Sequence, residues 1–152
     1  MNKAEQPKPH LRERTLRLSS FILLAALALS GCKTVGVSMT EGGYAEVAPP
    51  VANEMMLDSR QVVIIDVRPG DTFGGPSGHI AGALSVPFET IERQLPELLP
   101  YQNDTVLVYG ENGTDGAVAA KLLTVAGFRN VVHIAGGLDA WIERGYRTVN
   151  GH

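Results

Sequence analysis

The sequence predicts an α/β layer fold in a single domain, a mostly parallel sheet flanked by helices on both faces. Three observations predict it. Apolar, β-branched-rich runs recur at residues 62–65, 105–109 and 130–134, stretches with helical spacing lie between them, and Gly/Pro-rich turns separate the two kinds of segment. A continuous apolar run suits a parallel strand buried on both faces, whereas a half-exposed strand alternates apolar with polar. Strands that alternate with helices imply crossover connections and a parallel sheet.

The elements follow in order. Residues 51–57 carry apolar side chains at helical spacing and read as a short opening helix. The run Val62-Val63-Ile64-Ile65 ends in Asp66-Val67-Arg68, and a Gly/Pro-rich loop follows over 69–78. Residues 83–86 read as a short strand stopped by Pro87. Residues 91–99 read as a helix in which Pro96 marks a kink or restart. The strand 105–109 runs into a glycine-rich turn, Gly110-Glu111-Asn112-Gly113-Thr114-Asp115-Gly116. Good helix formers fill 117–126, and Gly127 closes that helix. A fourth strand spans 130–134. Gly136-Gly137 then turns into a last helix over 138–144, which contains Trp141 and ends at Gly145.

The N-terminal third is of a different kind. Lys3, Lys8, Arg12, Arg14 and Arg17 precede the apolar stretch Phe21-Ile22-Leu23-Leu24-Ala25-Ala26-Leu27-Ala28-Leu29. That stretch is shorter than the roughly 20 apolar residues of a membrane span and fits the about 7–15 of a signal h-region. It is followed by Leu29-Ser30-Gly31-Cys32, which resembles the processing site of bacterial lipoproteins. The resemblance implies that residues 1–31 are a signal peptide and that Cys32, the one cysteine of the chain, carries a lipid thioether. Two or more acyl chains anchor stably to a membrane. Lys33 after that cysteine implies an extracytoplasmic protein on the periplasmic face of the outer membrane, if the cell is Gram-negative. Residues 32–50, rich in Gly and Pro, read as the lipidated cysteine and a flexible tether, with the folded domain over 51–149.

Without the leader the chain keeps 8 basic against 14 acidic residues, a net charge of −6. An acidic surface argues against nucleic acid as a partner. A lone cysteine excludes an internal disulfide, and His10, His79, His133 and His152 are too scattered for a metal site. No cofactor is expected. The expected partners are the membrane, through the lipid, and an envelope protein.

The folded part resembles the rhodanese-like sulfurtransferase domain over 51–149. The resemblance rests on Asp66-Val67-Arg68 with Phe73 after it, on Gly78-His79-Ile80-Ala81-Gly82-Ala83, and on Gly136-Gly137-Leu138-Asp139-Ala140-Trp141. The segment between Phe73 and Gly78 is two residues longer than the family's pattern. In active members the strand before the glycine-rich turn ends in a cysteine that opens a loop of pattern Cys-x-x-Gly-x-Arg. Here Gly110 stands at the cysteine position, Gly113 matches, and Asp115 stands at the arginine position. Sulfur transfer needs a thiolate that carries the sulfane sulfur as a persulfide, and glycine has none. A unit charge pair about 6 Å apart at an effective dielectric near 20 is worth roughly 3 kcal/mol. Exchanging Arg⁺ for Asp⁻ therefore disfavours a thiosulfate-like anion by up to about 6 kcal/mol before screening. Cysteine phosphatases of the same fold need the same two residues.

The resemblance thus implies a rhodanese fold without catalytic residues, acting in binding or scaffolding through the loop 110–116. Two rival readings stay open: a sulfurtransferase that uses another group, and a structural envelope lipoprotein. The binding candidates are Asp66, Arg68, Glu111 and Asp115. Asp66 and Arg68 read equally as an internal ion pair, His79 as a loop-organising donor, and Glu111 with Asp115 as a solvated face.

Overall fold

A computed structural model describes residues 36–58 and 61–151. The expected signal peptide, residues 1–31, and the expected lipidation site Cys32 lie outside the described residues. In chain order the elements are β1 (Val37–Met39), β2 (Ala45–Val47), α1 (Pro49–Asp58), β3 (Val62–Asp66), α2 (Gly70–Phe73), β4 (Ala83–Ser85), α3 (Ile91–Leu98), β5 (Thr105–Tyr109), α4 (Thr114–Val125), β6 (Asn130–Ile134) and α5 (Gly137–Glu143). Short 3₁₀ turns precede and follow α3 at Phe88–Thr90 and Leu99–Tyr101. The chain passes through Pro96 inside α3 without a break, and the 3₁₀ turn takes over from Leu99.

The sheet has the order β1-β2-β6-β5-β3-β4. Every neighbouring pair is parallel except β1 with β2. The three long apolar runs, β6, β5 and β3, take the centre, where both faces are covered. On one face Ile65, Val106, Val108 and Val131 pack with Ile91 and Leu98 of α3 and with Ala119, Ala120 and Leu123 of α4. On the other, Ile64, Leu107, Tyr109, Val132 and Ile134 pack with Ala52 of α1 and with Leu138 and Trp141 of α5. Alternate residues of each strand serve opposite faces, as the two-residue period requires.

One expectation is corrected. The stretch 36–50 is not a plain tether: it supplies β1, β2 and the start of α1. β2 pairs with β6 at Glu46↔His133 and Val47↔Ile134, and Val47 is buried in the core. The ordered domain therefore begins before Val51. The pairing is non-local, so the composition of 36–50 gives no sign of it.

Candidate functional site

All five parallel strands point the same way, so their carboxyl ends share one edge of the sheet, where open α/β sheets place their sites. Asp66 ends β3 and Tyr109 ends β5, and the two are register partners. Backbone that leaves this edge turns into α4 at Gly113, whose φ of +94° favours glycine.

Behind the edge lies a buried polar cluster. Asp66 and Arg68 are 1% and 2% exposed, so neither charge is solvated. Arg68 Nη2 donates to Asp66 Oδ2 at 2.7 Å, and Nε donates to both carboxylate oxygens at 3.0 and 3.1 Å. The Arg68 amide also donates to Asp66 Oδ1 at 3.0 Å. Arg68 Nη2 reaches the Gly78 carbonyl at 2.7 Å, and Nη1 reaches Glu111 Oε2 at 3.3 Å. The Tyr109 hydroxyl donates to Asp66 Oδ2 at 2.8 Å and accepts from the Ile80 amide at 3.0 Å. Burial pulls the Arg68 guanidinium down, but its bonds to Asp66 and the Asp66 charge outweigh that, so its pKa is raised. Burial and then the Asp66 charge push the Tyr109 phenol well up. Both groups hold their protons.

His79 belongs to the wall of this cluster. Its Nδ1 lies 3.0 Å from the Phe73 carbonyl and its ring stacks on Phe73 at 3.7 Å. A carbonyl only accepts, so Nδ1 carries the proton and His79 organises the loop.

The loop itself is built from glycine contacts. Gly113 caps α4 with φ +94°, and a Cβ there would meet the Gly136 amide nitrogen at 3.0 Å. Gly137, φ +61°, has no room for a side chain, because a Cβ would stand 2.5 Å from the carbonyls of Gly110 and Glu111. The Leu138 and Asp139 amides donate to those carbonyls at 2.9 and 3.0 Å. Two glycine turns thus lock the loop to the start of α5. The Thr114 amide is taken by Asn112 Oδ1 at 3.2 Å.

Gly110 has no positive φ. A Cβ on it would stand 3.1 Å from the Gly116 amide nitrogen and 3.4 Å from Asp115 Cβ. A side chain at position 110 therefore starts at the first turn of α4, beside the aspartate. The structure brings Asp66, Arg68 and Glu111 into one connected set and places Asp115 against Gly110 instead. Among the described residues no group of three or more His, Cys, Asp or Glu is placed to hold a metal.

A family model, Rhodanese-like domain, matches residues 49–144. The chain belongs to the rhodanese-like family. It is 32% identical over 74 residues to thiosulfate sulfurtransferase PspE of Escherichia coli strain K12, which covers 49% of this chain and 68% of PspE. It is 30% identical over 103 residues to adenylyltransferase and sulfurtransferase UBA4 of Candida albicans, covering 64% of this chain and 23% of UBA4. The chain thus spans less than a quarter of UBA4. The solution structure of the rhodanese-like domain of the Anabaena protein Alr3790 superposes with a TM-score of 0.62 at 30% identity, over 70% of this chain and 79% of that one.

Two features of this rhodanese-like domain were missed by sequence reasoning. The Tyr109 phenol closes the Asp66 cluster, although a tyrosine ending an apolar strand reads as core. His133, on β6, is 2% exposed and pairs through Nδ1 with Glu46 of β2 at 2.9 Å. Its Nε2 has no hydrogen-bond partner among the described residues and lies against Gly116, where a Cβ would be 3.0 Å away. The periodicity of β6, with Val131 and His133 on one face, was the available signal.

Proposed function

We propose that this is a membrane-anchored, extracytoplasmic rhodanese-like domain without sulfurtransferase catalysis, which acts by binding or scaffolding at its loop edge. One observation carries the reading. The place from which the family's nucleophile projects is Gly110, the neighbouring side chain is Asp115, and the chain's one cysteine is Cys32, in the lipoprotein-like site. The first turn of α4 is intact, but nothing in it can carry a sulfane sulfur. Glu111 and Asp115 add negative charge where a thiosulfate-like anion would sit. The sulfurtransferase relatives support the fold and its ancestry, and the substitutions separate this chain from their chemistry.

A thiosulfate:cyanide assay on the soluble protein tests the catalytic half. The expected result is no thiocyanate above the uncatalysed rate; turnover at the level of an active family member would refute it. Metabolic labelling with a radioactive fatty acid tests the anchor. Wild type should take up label and Cys32→Ser should not; equal incorporation would remove the membrane from the account. Capture of an envelope partner by the native domain, lost when 110–116 is scrambled, separates binding from a purely structural role.

A further inference from the structure

The glycine-rich loop holds a chemically reactive pair. Asn112 is followed by Gly113, and a second such pair, Asn150 and Gly151, lies near the C-terminus. Asparagine is among the thermolabile residues, because its carboxamide carbon is open to attack by the backbone nitrogen of the next residue. A glycine there leaves that nitrogen unshielded, having no Cβ. Both asparagines are exposed, and both glycines have positive φ, +94° at Gly113 and +100° at Gly151. By sequence the two pairs are alike. In the folded chain they differ.

At Asn112 the groups that the attack needs are assembled. Asn112 Oδ1 accepts from the Thr114 amide at 3.2 Å. The negative charge that develops on Oδ1 as Cγ is attacked is therefore met by a donor already in place. The Gly113 amide, which must lose its proton to attack, donates to no acceptor among the described residues. The fold also keeps position 113 a glycine, since a Cβ there would stand 3.0 Å from the Gly136 nitrogen. Asn150 has no such help. Its side chain makes no hydrogen bond among the described residues, and its Oδ1 lies against Gly78, where a Cβ would stand 2.5 Å away.

We propose that Asn112 is a site of spontaneous deamidation, an intramolecular step promoted by the loop that carries it. The Gly113 nitrogen gives its proton to solvent and bonds to Asn112 Cγ. The bond from Cγ to the carboxamide nitrogen breaks, and that nitrogen takes a proton from solvent and leaves as ammonia. Water then opens the succinimide at either of its two carbonyls. One opening gives aspartate, and the other gives isoaspartate, in which the main chain runs through Cγ. In sum one water is consumed and one ammonia released.

The product changes the loop. Residue 112 lies between Glu111 and the first turn of α4, which carries Asp115, and both acids are exposed. A carboxylate at 112 adds a third negative charge to the stretch 111–115. Isoaspartate adds one carbon to the main chain just ahead of Gly113, which packs closely on Gly136. The step runs one way, so the charge of the loop rises with the age of the molecule. This goes beyond the proposed binding role: young and aged chains present different charge at the same edge, whatever meets it.

The test ages the purified full-length chain at mildly alkaline pH in heavy-oxygen water and then maps its peptides by mass spectrometry. Oxygen taken from that water marks conversion during ageing and sets it apart from conversion during digestion. Position 112 should convert severalfold faster than position 150 in the folded chain. In urea the Thr114 donor is lost, and the two rates should become equal. On anion exchange the aged wild type should gain a species that co-elutes with Asn112→Asp and that Asn112→Gln does not form. Equal rates at 112 and 150 in the folded chain, faster conversion at 150, or an unchanged ratio in urea would overturn the proposal. So would the same acidic species from aged Asn112→Gln. These readouts need neither sulfur transfer nor a partner, so the proposal and the binding role fail or stand separately.

Discussion

The Arg68 guanidinium bridges the end of β3 to the loop through Glu111, whose Oε2 lies 3.3 Å from Nη1. The two residues are 43 apart in sequence. Arg68 is thereby committed to the protein's own acceptors: Asp66, Gly78 and Glu111. This buried cation serves the fold, and the half-exposed Glu111 carboxylate takes its Nη1.

The two halves of that arrangement should differ in worth. Arg68→Ala leaves the Asp66 carboxylate buried without its partner and should cost about 3–5 kcal/mol. Glu111 is about half exposed, with a side-chain accessibility of 47%, so Glu111→Gln should cost less than about 1 kcal/mol. Urea melts of the two variants check this. Equal losses would mean that the Arg68–Glu111 contact, rather than the buried pair, holds the edge together.

Tyr109 gives a pH dependence with a definite sign. Burial first, and the Asp66 charge second, raise its phenol above the ordinary value of 10.0. The folded state then keeps a proton that the unfolded state releases, so the contribution is complete below about pH 10 and is lost as pH rises beyond it. Stability measured by denaturant should fall from pH 9 to pH 11. Tyr109→Phe should flatten that fall while costing about 1–3 kcal/mol at neutral pH, since Asp66 loses a donor and the Ile80 amide its acceptor. An unchanged alkaline slope in the variant would show that other groups set it.

The β1–β2 hairpin makes a prediction about domain bounds. A fragment from Gly36 should be at least about 2 kcal/mol more stable than one from Val51, because the shorter piece exposes β6 and loses the buried Val47 side chain. Identical melts would reduce the hairpin to an accessory and restore Val51 as the domain start.

The sequence was most informative where one strand carries its own signal. The runs at 62–65, 105–109 and 130–134 announce buried strands with no help from partners, and the structure places them as β3, β5 and β6. Val37-Ser38-Met39 and Ala45-Glu46-Val47 carry no such signal. Each is three residues long, and each becomes a strand only through a neighbour, β2 through β6 at 87 residues' separation. The site divides the same way. Asp66, Arg68, Glu111 and the Gly110–Asp115 adjacency follow from motif position. The hydroxyl of Tyr109 and the Glu46–His133 pair depend on which strands lie side by side, and a tyrosine or histidine within an apolar run reads as packing.

The central claim is that this loop keeps its backbone and lacks only its reacting atoms. Gly110 is free of positive φ, and a side chain there would start 3.1 Å from the Gly116 amide, so the neighbour must yield by a few tenths of an ångström. Asp115 would still repel a thiolate and its substrate, so Gly110→Cys alone should do less than Gly110→Cys with Asp115→Arg, in which a helix N-terminus and a cation lower the thiol pKa. The most direct measurement is the intact mass of the fragment from Gly36, which lacks Cys32, after treatment with thiosulfate. Wild type should gain nothing, and the double variant should gain one sulfur that cyanide removes. A sulfur adduct on the wild-type fragment, with thiocyanate released on adding cyanide, would contradict the account.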